Sequence, residues 1–268
     1  MPSAISVVTL ITDFGDRDHF VASMKGVMLG INNQTRIIDV SHQVTPHSIE
    51  EAAFLLNSCY HYFPDGTIHV VVVDPSVGSS RRGLLVTTSR FFFVAPDNGV
   101  LSYIYENELD VEVRQIENRQ FRLDSPGATF DGRDLFAPSA AWLTRGQTPG
   151  AYGRLVTDYE KLAIHTPEVR KGVLHGRIAY IDHFGNIITN ITPDDLKSLQ
   201  EVTKKKEFSI QLGDVAIPEL KTHYEQGTPD APSALINSNG YVEVFLQQGR
   251  AADKLGVTLG SSVRAISF

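Results

Sequence analysis

The run Ile68-His69-Val70-Val71-Val72-Val73 constrains this chain more than any other segment. It has no polar alternation, so as a strand it must be covered on both faces, the condition of a central strand in a parallel sheet. Its surroundings agree. An apolar, β-branched run at 6–12 stops at Asp13-Phe14-Gly15, and a helical pattern follows in which Phe20, Met24, Val27, Met28 and Ile31 share one face. Arg36–Val40 reads as the next short strand. Ser48 and Glu51 then read as a capping box for a helix whose apolar face includes Ile49, Ala53, Leu56 and Tyr60. Strand and helix in this alternation predict an α/β fold built on a mostly parallel sheet. Further strands are expected at Leu84–Thr88 and Phe91–Ala95, and a helix from Gly132–Asp134 through Ala140, Ala141 and Leu143 to Gly146.

The texture changes near residue 165. A short charged connection at Pro167–Gly172 leads into short apolar runs (GRIAYID, NIITNI, EFSIQL, ALINS, YVEVFL, SVRAISF) separated by Gly, Asn, Asp and Pro. That spacing predicts a smaller antiparallel barrel or sandwich. Two domains are therefore expected, 1–166 and 173–268.

Composition excludes several classes. A net charge of −7 argues against nucleic-acid binding, which needs clustered cations. The run Lys204-Lys205-Lys206 reads as a solvated loop or helix end. Cys59 is the single cysteine, so no intramolecular disulfide forms, and no apolar run approaches the ~20 residues of a membrane span. No secretory signal is visible, so a cytoplasmic protein without membrane contact is expected, and the sequons at Asn33 and Asn190 carry no weight. Neither G-x-G-x-x-G after the first strand, nor G-x-x-x-x-G-K-[ST], H-E-x-x-H or paired C-x-x-C occurs, which removes the main support for nicotinamide, P-loop and zinc readings.

Ligands of open parallel sheets sit beyond the carboxyl ends of the strands. Three strands here end in carboxylates, Asp13, Asp74 and Asp97. The loop Asp74-Pro75-Ser76-Val77-Gly78-Ser79-Ser80-Arg81-Arg82 adds small residues that allow close backbone approach, and an arginine able to grip a carboxylate. Of the histidines, His42, His47 and His183 lie near these segments, where a structural role is the commoner one. On residue types alone the acids Asp13, Asp16, Asp18, Asp74 and Asp97 also admit a divalent-metal phosphohydrolase.

Together the segments resemble the S-adenosyl-L-methionine hydrolases, or hydroxide adenosyltransferases, relatives of the fluorinating and chlorinating enzymes. The matching stretches are TLITDFG (9–15), MKGVMLGI (24–31), DVSHQVTP (39–46), VVVDPSVGSSRR (71–82), APDNGVLS (95–102), TFDGRDLFAPSAA (129–141), IDHFGNIITNI (181–191) and NSNGYVEV (237–244). The resemblance implies a Rossmann-like N-terminal domain and a β-barrel C-terminal domain. It also implies a homotrimer whose substrate lies where one subunit's first domain meets a neighbour's second. Residue by residue, it puts Asp13 on the ribose hydroxyls, Asp182 near the methionine amino group, Phe184 and Asn186 on adenine, and Ser238 and Asn239 near the methionine carboxylate. Asp74 and Arg81 match the first two members of the family's Asp-Arg-His hydrolytic triad. At the third position, where the family usually has His, this chain has Asp131, and Arg81 between two carboxylates is the arrangement expected.

The activity so implied is hydrolysis of S-adenosyl-L-methionine to adenosine and L-methionine, without metal or cofactor. The halogenating relatives have a neutral residue at the position of Asp74, whereas an aspartate there repels a halide by about 4 kcal/mol at 4 Å and an effective dielectric near 20. Water suffers no such repulsion. The alternative left by Asp131 is a protein that binds the same ligand without turning it over.

Overall fold

The computed structural model describes residues 7–268, and the chain divides into two compact units, Met1–Ala163 and Ile164–Phe268. The first carries β1 (Val7–Thr12), α1 (Phe20–Ile31), β2 (Arg36–Ser41), α2 (Ile49–Cys59), β3 (Ile68–Val72), β4 (Gly83–Thr87), β5 (Phe92–Pro96), α3 (Ser102–Asn107), β6 (Glu112–Gln115) and α4 (Ala137–Thr144). Its sheet runs β2-β1-β3-β5-β4-β6. The pairs β1/β2, β1/β3 and β3/β5 are parallel, whereas β4 is antiparallel to both β5 and β6.

The all-apolar run explains this arrangement. Every residue of β3 is buried, and successive side chains enter opposite cores. Val70 and Val72 join Met24 and Met28 of α1 and Ala140 and Ala141 of α4. Val71 and Val73 join Ala52, Ala53 and Leu56 of α2. Phe20, expected on the buried face of α1, is instead partly exposed and packs against the rings of Phe14 and Phe130, with centroids 5.5 and 5.2 Å away.

One local expectation fails, and one helix forms with an unforeseen start. Ser48 occupies the N-cap of α2 but makes no side-chain capping bond, because Glu51 turns to the backbone N–H of Thr45 at 3.2 Å. The helix expected from Gly132 opens as a π-helical turn, Gly132–Phe136, before α4 begins. Pro138 supplies the reason: it has no N–H to give to the carbonyl of Asp134. That carbonyl accepts instead from the N–H of Leu123 at 2.8 Å, which ties the 122–123 segment beside the turn.

The second unit holds β7 (Glu168–Arg170), β8 (Val173–Ile181), β9 (Ile187–Thr189), α5 (Pro193–Thr203), β10 (Phe208–Leu212), β11 (Val215–Ile217), β12 (Leu220–Lys221), β13 (Ser233–Ile236), β14 (Val242–Phe245), α6 (Ala251–Leu255) and β15 (Ser262–Ser267). These strands form one strongly curved, nearly barrel-shaped sheet in the order β11-β10-β15-β8-β9-β14-β13-β12, with β7 on β8. Its pairs are antiparallel except β12/β13. The segment expected as a connection, Pro167–Gly172, contributes β7, whose Val169 faces Leu174. A capping box does occur here, unread in the sequence: Thr192 and Asp195 exchange side-chain bonds with each other's N–H groups at the start of α5. Among the described residues no helix is long and apolar enough to cross a membrane.

Candidate active site

Register brings the three strand-end acids to one edge of the first sheet. Thr12 pairs with Val72 and Val70 with Val94, so Asp13, Asp74 and Asp97 leave adjacent parallel strands at nearly the same level. Their partners then separate them. Asp97 accepts from Arg82 Nε at 2.7 Å and from the N–H of Glu160 at 2.8 Å, and Arg82 also grips Asp158. Asp13 accepts from the N–H of His47 at 2.9 Å, and His47 holds a left-handed φ of 69° to offer it. Asp74 belongs to a different group.

Arg81 donates to both oxygens of Asp74, from Nε at 3.2 Å and through a shorter bond from Nη2. The same Nη2 donates to Asp131 Oδ2 at 2.7 Å, so the guanidinium lies between two carboxylates as expected. Its plane is fixed by the ring of Phe136, 5.3 Å from Arg81 Cζ, and by the bond from Nη1 to the carbonyl of Arg82 at 3.0 Å. All three charged side chains are withdrawn from solvent, with 4, 5 and 10% of Asp74, Arg81 and Asp131 exposed. Ser76 hydroxyl adds a bond to Asp74 Oδ1 at 3.2 Å. A fourth charged residue, not foreseen in the sequence, completes the row: Arg122 Nη2 donates to Asp131 Oδ1 at 3.0 Å.

Two glycines permit this convergence. Gly78 has φ +83°, and a Cβ there would stand 2.8 Å from the carbonyl oxygen of Ala128, so the loop after β3 crosses the irregular segment leading to Asp131 at backbone contact. Gly132 leaves room for Met24, Phe130 and Phe14, each within 3.2–3.3 Å of where its Cβ would be.

The acidic residues that suggested a metal site do not assemble into one. Asp74 and Asp97 are each committed to an arginine, Asp16 and Asp18 are exposed, and among the described residues no three His, Cys, Asp or Glu side chains converge. Of the three histidines, His42 bonds Thr12 at 2.9 Å and faces Asp39 at 3.0 Å.

The second unit has its own concavity, an open cleft of about 780 Å³ lined by Asp182, Phe184, Asn186, Tyr224, Phe245 and Arg250 among others. The turn after β8 makes its floor. Asp182 accepts from both the backbone and the side-chain amide of Asn186, at 2.8 and 3.0 Å, and Arg250 closes over the turn by donating to the carbonyl of His183 at 2.7 Å. Phe184 is 71% exposed, an aromatic face offered to the cleft rather than to a core. Tyr224 stands edge-on to Phe245, and its hydroxyl donates to Glu243 at 2.8 Å. Glu243 is buried, and that burial raises its proton affinity against the bonds from Tyr224 and Asn237, with the charge of Asp182 adding to the rise. Ser238 and Asn239 sit on the exposed turn beyond Asn237, outside the residues that line the cleft. Tyr224, Glu243 and Arg250 were not singled out in the sequence, and an aromatic between two short strands gave no signal there.

A buried acid–arginine–acid row at the carboxyl edge of the first sheet is a candidate site for a small organic molecule. The chain belongs to the SAM hydroxide adenosyltransferase family: the family's N-terminal domain model matches residues 8–153 and its C-terminal domain model residues 176–264. Similar curated proteins include the (R)-S-adenosyl-L-methionine hydrolase of Methanocaldococcus jannaschii, 32% identical with 94% of this chain and 93% of that protein covered. The hydrolase of the same name from Salinispora tropica is 33% identical over 96% of both. Among solved structures, a conserved protein from Thermotoga maritima aligns with a TM-score of 0.88 at 33% identity, covering 97% of this chain and 99% of that one.

Proposed function

We propose that this protein hydrolyses S-adenosyl-L-methionine to adenosine and L-methionine, by in-line attack of water on C5′ of the ribose. The observation that carries the reading is the buried Asp74–Arg81–Asp131 row at the sheet edge. The sulfonium leaves as a neutral thioether, so the leaving group needs no proton. The new bond is C5′–O, the bond broken is C5′–S, and the proton of the attacking water passes to a carboxylate. Asp74 is that carboxylate. Arg81 holds both of its oxygens in one plane and so fixes its direction. Alignment and exclusion of competing water supply the remaining acceleration, a contribution of ~7–11 kcal/mol in favourable cases. The same negative charge disfavours a halide as nucleophile.

Asp13 takes the ribose hydroxyls, Asp182 the methionine amino group, Phe184 and Asn186 the adenine, and Ser238 and Asn239 the methionine carboxylate. With this reading go a Rossmann-like first domain (1–166) bearing the nucleophile-activating site and a β-barrel second domain (173–268) contributing adenine and methionine contacts. A cytoplasmic homotrimer, and no cofactor beyond the substrate, belong to it as well. Support comes from the family membership and from the hydrolase names of relatives aligned over nearly their whole length. The test is chromatographic: purified protein and S-adenosyl-L-methionine should yield adenosine and methionine in equal amounts, in chelator as in its absence. Tight binding without product over hours would select the non-catalytic binding protein instead, and loss of turnover in chelator would favour a metal enzyme.

A further inference from the structure

Asp131 is the third member of the buried row, and the structure pairs it with a residue that no motif contains. Asp131 opens the π-helical turn but does not cap it, since its side chain accepts nothing from the turn's N–H groups. Its two oxygens go instead to two guanidiniums, Oδ2 to Arg81 at 2.7 Å and Oδ1 to Arg122 at 3.0 Å. We propose that Arg122 is a positioning residue of the hydrolytic reaction: by holding the outer oxygen of Asp131 it fixes Arg81, and so orients Asp74. The kinetic side of this proposal rests on the hydrolase reading.

Charge counting gives the first argument. Asp74, Arg81 and Asp131 alone sum to one negative charge in a site almost closed to water, and the positive charge of Arg122 brings the row to neutrality. Neighbouring cations are already engaged: Arg133 is committed to Asp134 at 2.6 Å, and Arg82 to Asp97 and Asp158. Without Arg122, one oxygen of a buried carboxylate has no donor, and an unpaired buried charge recruits the nearest cation. That cation is Arg81. Both hydrogens of its Nη2 are in use, one for each carboxylate, so a shift toward Asp131 weakens the grip on Asp74.

The second argument is the backbone. Arg122 lies in an extended segment whose place is set by the bond from Leu123 N–H to Asp134 O, the acceptor that Pro138 leaves open. The segment is therefore anchored three residues beyond Asp131, and Arg122 is delivered to the outer side of the carboxylate while its own side chain stays 45% exposed. An imidazole at 131, the family's usual residue, has no second acceptor lone pair for such an arginine. Asp131 and Arg122 thus form an exchangeable unit, and each alone is mismatched to the other's replacement.

Four proteins test this: wild type, R122Q, D131H and the R122Q/D131H double variant, with hydrolysis of S-adenosyl-L-methionine as readout. Arg122 is half exposed, so R122Q leaves the folded core intact. R122Q should lower kcat by about tenfold with KM changed less than about twofold, the mark of an interaction that acts on the transition state. D131H should lose a similar factor, and the double variant should recover most of it, a non-additivity that residues in independent roles do not show. Equal kcat in R122Q and wild type, or losses that simply multiply in the double variant, would overturn the proposal. A crystal structure of R122Q decides the same question without turnover. Arg81 drawn off Asp74 toward Asp131 supports the role, and Arg81 unmoved against both acids defeats it. An inactive wild type would defeat the hydrolase reading alone, because the structural arm still stands.

Discussion

Asp74, Asp97 and Asp131 of the first unit and Asp182 and Glu243 of the second are satisfied in opposite ways. In the first, Asp74, Asp131 and Asp97 all rest against guanidinium groups. In the second, Asp182 and Glu243 are met by neutral donors only: the Asn186 amide and N–H for one, the Tyr224 hydroxyl and the Asn237 amide for the other. A guanidinium fixes both the charge and the direction of an acid, because it cannot give up its proton. Neutral donors fix direction but leave charge to the surroundings, and at Glu243 burial already favours the protonated form. The first arrangement suits an acid that must accept a proton from water in one orientation. The second suits an acid that answers a cation arriving with a ligand.

Kinetics can break this contrast, and the largest effect is expected at Asp74. On the hydrolase reading, Asp74→Asn keeps the shape of the site but not the base, so kcat should fall by about 10²–10⁴ with little change in KM. Asp182→Asn should do the reverse, raising KM with a smaller loss in kcat. Steady-state rates for both variants decide it, and a KM effect at Asp74 matching that at Asp182 would erase the distinction.

Asp97 sharpens the contrast from within the first unit. It shares the sheet edge with Asp74, yet its partners Arg82 and the Glu160 N–H hold the chain after β5 and the segment near 158–160 in place. Asp97→Ala removes the buried acceptor of Arg82 and of the Glu160 N–H while Arg82 keeps Asp158, a change that costs about 1–3 kcal/mol of stability. Denaturant unfolding should register that loss, while kcat of the folded fraction stays within about twofold of wild type because the residue touches no part of the reacting row.

A third test uses pH. His69 sits fully buried on β3 among Tyr60, Phe63, Phe91 and Phe93, bonded through Nδ1 to Thr9 at 2.8 Å, and its Nε2 has no hydrogen-bond partner. Burial pushes its pKa down from 6.5 to about 3. The unfolded chain therefore takes up a proton below pH 6.5 that the native one refuses, and stability present above that pH is lost as pH falls. The slope is about 1.4 kcal/mol per pH unit between roughly 6.5 and 3. Replacing His69 by Phe should remove this component, so that the stability difference between variant and wild type grows in acid. A difference constant from pH 7.5 to 5 would show that the ring takes up a proton as readily in the native protein as in the unfolded chain.

Much of the first unit was legible because its signals are local. A run without polar alternation can only be a strand covered twice, and strand-end acids at one edge follow from parallel pairing. Arg81 between two acids was also readable, since all three residues lie in recognisable segments. Arg122 was not: it lies in a stretch without periodicity, and its place depends on Leu123 finding the carbonyl that Pro138 leaves free. Glu243 was hidden for another reason. Within YVEVFL it reads as the solvent side of a half-buried strand, whereas every residue of β14 is buried because Tyr224 and Asn237 cover the second face. Ser48 shows the converse failure, a motif with the right residues whose glutamate found a nearer donor in Thr45.

The smallest effect tests whether the neutral-donor site is a built feature of the cleft. Glu243 ties the Tyr224 wall of the cleft, through Oε1, to the Asn237 turn outside it, through Oε2 at 3.2 Å. Asn237 has no freedom to reverse its amide, since its Oδ1 already accepts from the N–H groups of Asn239 and Tyr241, both at 3.0 Å. Glu243→Gln can turn its amide nitrogen to the Tyr224 hydroxyl oxygen and its carbonyl to Asn237, keeping both contacts without the charge, whereas Tyr224→Phe removes one bond. Tyr224→Phe loses one hydrogen bond to a carboxylate, a cost of about 1–2 kcal/mol, and should raise the Kd of the adenosine-containing ligand by about five- to thirtyfold, whereas Glu243→Gln should change it less than about threefold. Because the Tyr224 bond ends on residue 243, the double variant should match Tyr224→Phe, whereas a large loss in Glu243→Gln alone by calorimetry would mean that the charge of Glu243 is needed. The first unit's row predicts the opposite dependence on charge: there a neutral amide in place of a carboxylate removes the partner of an arginine, and the penalty reaches kcat.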